Sequence, residues 1–145
     1  MFRHILVPTD GSPLSTKAIN NAMSLASTLK ARVTVLTVIE PYHVFAKDPE
    51  QLADTEAAYK THAKARATRI LSEADAVAQK AGVAYATQQL EHDQVHQAII
   101  EAANKHGCDL IAMASHGRRG VAALVLGSVT TKVLTHSSLP VLVYR

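Results

Sequence analysis

The stretch His4-Ile5-Leu6-Val7-Pro8-Thr9-Asp10-Gly11-Ser12-Pro13 decides the fold class. Its opening run, His4 to Val7, is short and continuous, the pattern of a strand buried on both faces. Pro8 stops that strand, and Thr9-Asp10-Gly11 turns the chain. Ser12 supplies an N-cap hydroxyl, and Pro13 presets φ at the first helical position. Leu14, Ala18, Ala22, Leu25 and Leu29 follow at spacings of three or four, one apolar face of a helix.

The same grammar repeats outward from this stretch. Val33 to Ile39 is rich in β-branched residues and reads as a second strand. A connection runs from Glu40 to about Asp48, and a long helix is predicted from about Pro49 to Ala81. Its apolar face is Ala63, Ala67, Ile70, Ala74, Val77 and Ala81, with Gly82 placed for the C-cap. Val83 to Leu90 is a third strand, polar enough at Thr87, Gln88 and Gln89 to lie at a sheet edge. Asp93 is the expected N-cap of a helix with face Val95, Ala98, Ile99 and Ala102, closed by Gly107. Leu110 to Ala114 is strand four. A loop from Ser115 to Leu126 follows, then Gly127-Ser128 opens a helix to about His136, and Leu139 to Tyr144 is strand five. Apolar strands alternating with helices imply a parallel sheet covered on both faces, with right-handed crossovers.

The chain has 145 residues, the size of a single domain spanning 1–145. Hydrophobic residues make up 48% and charged residues 19%, enough for a core and unlike a disordered chain. No stretch approaches the roughly 20 apolar residues of a membrane helix, and the N-terminus lacks a secretory apolar core. The single cysteine, Cys108, excludes an internal disulfide framework and reads as a small packed residue, so a reducing, cytoplasmic compartment is expected. The formal charge is +3, from 15 basic and 12 acidic residues. Apart from Lys60, Lys64, Arg66 and Arg69, read as a solvated helix face, the basic residues are scattered, which argues against nucleic acid. His92 and His96 lack a third metal ligand.

Two loops leave strand ends with unusual residues, and ligands in open α/β sheets bind beyond those ends. One is Val7 to Ser12. The other is Ala114-Ser115-His116-Gly117-Arg118-Arg119-Gly120, continuing to Leu126-Gly127-Ser128-Val129-Thr130. Gly127-Ser128 sits at a helix N-terminus, where free amides and the helix dipole favour an anion. Gly lets the backbone approach a phosphate, Ser128 and Thr130 add hydroxyls, and Arg118 and Arg119 raise the local potential. There is no Walker lysine and no dinucleotide fingerprint after the first strand.

These segments, in this order over essentially the whole chain, resemble the universal stress proteins of the adenine-nucleotide-binding α/β type. ATP-binding members of that family carry Gly, two residues, Gly, nine residues, then Gly followed by Ser or Thr. Here nine residues separate Gly117 from Gly127-Ser128, and the first glycine position is Ala114. The resemblance implies a five-stranded parallel sheet, order 3-2-1-4-5, Rossmann-like and similar to the adenine nucleotide alpha hydrolases. It implies ATP, with Mg²⁺ as the nucleotide-bound ion. Pro8, Thr9 and Asp10 should border the nucleoside, Val38 the adenine, and Met113 and Ala114 the base and ribose. Gly117, Gly127, Ser128, Val129 and Thr130 should hold phosphates, with His116 and Arg118 beside them.

The residues offer no base, nucleophile or metal set with catalytic logic, so ATP hydrolysis is expected to be slow at most. The last strand, Val141 to Tyr144, is apolar on both alternating sets, and pairing with a second copy would cover its edge. The resemblance implies the same homodimer. The competing reading is a nucleotide-free interaction dimer, which Ala114 favours and the glycines at 117 and 127 oppose. An alanine methyl is tolerated at a negative φ and strained at a positive one.

Overall fold

The computed structural model describes residues 1–44, 51, 55–118 and 125–145. The elements in chain order are β1 (His4–Pro8), α1 (Pro13–Leu29), β2 (Arg32–Ile39), α2 (Glu56–Ala81), β3 (Tyr85–Glu91), α3 (Val95–Lys105), β4 (Leu110–Ala114), α4 (Ser128–His136) and β5 (Val141–Tyr144). All strand pairs are parallel, and the order is β3-β2-β1-β4-β5. The expected sheet is the observed one.

Strand β1 lies at its centre, and Ile5, Leu6 and Val7 are wholly buried. Side chains alternate across the sheet. Ile5 and Val7 join Val33 and Val35 in a core with α1 and α2, through Ile19, Met23, Ala74 and Ala78. Leu6 joins Leu36 and Ile111 in a second core with α3 and α4, through Ile99, Ala102 and Val133. The alanines on α1, α2 and α3 let helix backbones come close to the sheet.

Local signals hold where they are self-contained. Ser12 Oγ accepts from the Ser15 amide at 3.2 Å and Pro13 opens α1. Gly82 closes α2 in the left-handed region, at φ 66°. Three expectations need correction. The buried stripe of α1 is Ser15, Ala18, Ile19, Ala22, Met23 and Ala26, with Leu14, Leu25 and Leu29 only half-buried, because the helix packs on both the sheet and α2. The long helix starts at Glu56, with Thr55 as N-cap in an extended conformation accepting from the Ala58 amide. Asp93 does not cap α3: Gln94 holds that position without a side-chain bond, and Asp93 instead reaches His43 Nε2 at 3.3 Å. Pro49, Arg119 and Gly120 lie outside the described residues. Among the described residues, no helix is long and apolar enough to cross a membrane.

Candidate functional site

The strand order reverses at β1, which feeds β2 on one side and has β4 on the other. A cleft of about 540 Å³ opens beyond the C-terminal ends of these strands. Pro8, Thr9 and Asp10 enter it from β1, and Leu36 and Val38 from β2. His116, Gly117 and Arg118 enter from the loop after β4, and Gly127, Ser128, Val129 and Thr130 from the start of α4. The two loops singled out in the sequence therefore meet.

Asp10 joins them. Its Oδ1 accepts from the Ser12 amide at 3.0 Å and its Oδ2 from the Arg118 amide at 2.6 Å. Burial pushes its pKa up, but hydrogen bonds from Ser12, Arg118 and Ser15 outweigh that and hold it below the ordinary value. The group is an ionised acceptor at neutral pH. Gly117 permits this contact, since a Cβ there would stand 2.1 Å from Asp10 Oδ2.

Gly127 is required for a different close approach. Its amide donates to the Ser115 carbonyl at 2.7 Å, and a Cβ would meet His116 Cα at 3.0 Å. Behind it, Thr130 is buried, and its Oγ1 donates to the Ala114 carbonyl at 3.0 Å. Gly127 is the N-cap of α4 without a side-chain cap, as Gln94 is for α3. The starts of both helices line the cleft, so two sets of free amides and two positive dipole ends converge there.

Met113 and Ala114 stand apart from the other expected residues. Both are buried, neither lines the cleft, and Met113 packs in the α3–α4 core. Ala114 ends β4 and has no positive φ, so its methyl carries no backbone strain.

Sequence reasoning missed the fourth wall. Gln94, Val95, His96 and Ile99 of α3, together with Lys132 of α4, line the cleft, as do Glu40 and Asp93. No motif marks them, because packing of α3 on α4 brings them in. Arg66 also departs from the solvated face assigned to it. It is half-buried and lines a small cavity of about 60 Å³ that shares Asp10, Val38, Glu40 and Arg118 with the cleft. Among the described residues, no group of three or more His, Cys, Asp or Glu could hold a metal ion.

A convergence of amides on an anion, beside a carboxylate and an apolar floor, suits a phosphorylated small molecule. Comparison with known proteins finds relatives that match the whole chain. Over its full length the chain is 32% identical to the universal stress protein YxiE of Bacillus subtilis (strain 168), covering 100% of each. The solved structure of MJ0577, a universal stress protein of Methanocaldococcus jannaschii, superposes with a TM-score of 0.81 at 26% identity, covering 99% of this chain and 95% of that one. A universal stress protein solved in complex with cAMP superposes with a TM-score of 0.73 at 27% identity, covering 99% and 97%. The model of the universal stress protein family matches residues 1–145, and the chain belongs to that family.

Proposed function

We propose that this chain binds an adenine nucleotide, ATP carried with Mg²⁺, and acts as a cytoplasmic homodimer that regulates or protects in a stress response. The observation that carries the ligand is the cleft itself. It joins an apolar floor of Leu36, Val38 and Ile99 to two uncapped helix starts, with ionised Asp10 between. Adenine stacks on the Val38 side, and Asp10 accepts a hydrogen bond from a ribose hydroxyl. Met113 and Ala114 support this end from β4, behind the lining. The phosphates lie over Gly117, Gly127, Ser128, Val129 and Thr130, with His116 and Arg118 at the rim. A volume of about 540 Å³ suits one nucleotide. The cAMP complex of a 27% identical relative supports the ligand class. Mg²⁺ would enter on the phosphates, keeping waters on its remaining positions.

The nucleotide acts by binding one conformation or partner state better than another. Mass spectrometry of the purified, denatured protein should release an adenine nucleotide, and millimolar ATP with Mg²⁺ should raise Tm. Finding neither result would sink the nucleotide reading and leave the nucleotide-free interaction dimer. Any ATP turnover should be slow and should disappear in a folded Gly127→Val variant.

The dimer rests on the free edge of β5. Ile111 donates to the Pro140 carbonyl and Ser115 to the Tyr144 carbonyl. In a parallel ladder engagement alternates along the strand, so Leu142 also faces β4 while Val141 and Val143 face outward. Proline at 143 removes one outward amide and leaves the β4 ladder intact. Val143→Pro should therefore sediment as a folded monomer where wild type is a dimer. A wild-type monomer at tens of micromolar would refute the assembly.

A further inference from the structure

The wall that no motif marks carries its own chemistry. His96 stands near the start of α3 and Lys132 on α4, and both side chains line the cleft. They belong to one cluster of basic side chains. The His96 and His136 rings lie 5.6 Å apart between centroids and are tilted by 44°. His136 Nδ1 is 2.8 Å from the Lys132 carbonyl, so that nitrogen carries its proton and donates. Lys132 follows Ser128 by one helical turn, about 6 Å along α4. That step is comparable to the span of added phosphates beyond one seated at Ser128.

We infer that His96 and Lys132 form the polyphosphate end of the cleft and select ligands with two or more phosphates over those with one. The inference rests on the nucleotide reading above and sharpens it. Gly127 and Ser128 hold the first phosphate by backbone amides, which every phosphorylated ligand can use. Only a longer anion reaches across to the α3 wall. There Lys132 supplies a fixed positive charge, and His96 becomes a charged donor when protonated.

The second member of the pair makes the preference depend on pH. Facing His96 are Lys132 and His136 from α4, and His92 from the β3–α3 connection, itself 4.0 Å from Glu101. The cleft also presents Asp10, Glu40, Asp93, His116 and Arg118. Burial lowers the His96 pKa, and Lys132, His136 and His92 lower it further. The empty wall is therefore short of protons at neutral pH, and an anion placed on it favours proton uptake. Preference for longer phosphates should be full below the free pKa of His96. It should be lost as pH rises through the higher value of the complex.

The experiment is calorimetric binding of AMP and ADP, each with Mg²⁺, at pH 6.0 and pH 8.0. The nucleotides' own titration is common to wild type and His96→Gln, so the variant is the reference. Between pH 8.0 and 6.0 the ADP-over-AMP ratio should rise about fivefold more in wild type than in His96→Gln, the scale of one charge-assisted contact screened by solvent. Equal pH dependence in wild type and variant would overturn the inference. A second measurement needs neither adenine nor a variant: the ring resonances of His96 in wild type, titrated with and without inorganic tripolyphosphate. An upward shift of the His96 pKa supports the polyphosphate wall, and no movement overturns it. If tripolyphosphate shifts His96 but ATP and ADP do not bind, the nucleotide reading falls and the phosphate wall stands.

Discussion

Replacing Gly117 by Ala tests how the site is held together. Gly117 has no positive φ, so backbone strain does not enter. The whole cost is steric, because the new Cβ would lie 2.1 Å from Asp10 Oδ2 and 3.1 Å from its Cγ. An ordinary contact needs more than 1 Å of additional separation. Asp10 cannot move that far and keep both the Arg118 amide at 2.6 Å and the Ser12 amide at 3.0 Å. Hydrogen bonds to a charged group are each worth roughly 1.5–3 kcal/mol, and water at this open rim returns part of that. The expected loss is about 1–2 kcal/mol, a fall in Tm of about 2–8 °C for a domain of this size. Urea unfolding of Gly117→Ala, Asp10→Ala and the double variant isolates the contact. If the carboxylate is what the methyl strikes, Gly117→Ala should cost less than about 0.5 kcal/mol once Asp10 is gone, leaving a coupling near 1 kcal/mol. Equal costs in the two backgrounds, or no cost in either, would refute the reasoning.

Thr130→Val keeps the shape of a buried side chain but removes the bond to the Ala114 carbonyl, and thermal unfolding should show a loss of about 1–2 kcal/mol. His4 is buried with Nε2 2.8 Å from Thr34 Oγ1, and the His106 backbone lies beside its ring. Burial, then Arg32, lower its pKa in the fold, so the unfolded chain takes up the proton first. Its contribution to stability is complete above the unfolded value near 6.5 and declines as pH falls toward the folded one, so His4→Gln should show a flatter loss between pH 7.5 and 5.5 than wild type. Burial, aided by Asp109, pushes the Cys108 thiol from 9.0 up to about 11, so iodoacetamide at pH 8 should label the native protein about a hundredfold more slowly than the unfolded chain. Rapid native labelling would refute the burial of that thiol.

What was legible in the sequence was local. A strand, a turn, an N-cap and a proline lie within ten residues at the start of the chain, and each signal works without knowledge of the rest. Gly82 was equally readable, because only a left-handed cap needs it at that point. The failures are tertiary. Asp93 is a good cap by chemistry, but it reaches His43, and the N-cap falls one residue later, on Gln94. Lys30 takes φ 55° at the end of α1 without being glycine, since its amide closes the helix on Ala26 and Ser27. The α1 stripe turned because two layers compete for that helix. At the site, both loops were found from their residue types. His96 and Lys132 were not, because they come from different helices and neither belongs to a motif.

The glycine pattern gains a physical meaning that its spacing alone does not have. Gly117 admits the Asp10 carboxylate, and Gly127 admits the backbone at His116. Both are demanded by the protein's own contacts before any ligand arrives. Position 114 makes no such demand, because it is the last extended residue of β4, paired with Tyr144 and bonded through its carbonyl to Thr130. A methyl there follows the strand and meets no backbone penalty. The Gly127 amide donates to the Ser115 carbonyl, one residue beyond the Ala114 carbonyl that accepts from Thr130. Two adjacent carbonyls of one strand end thus fix the start of α4. The placement of α4 therefore depends on Ser115, Gly127 and Thr130 holding that helix against β4, and alanine at 114 is compatible with it.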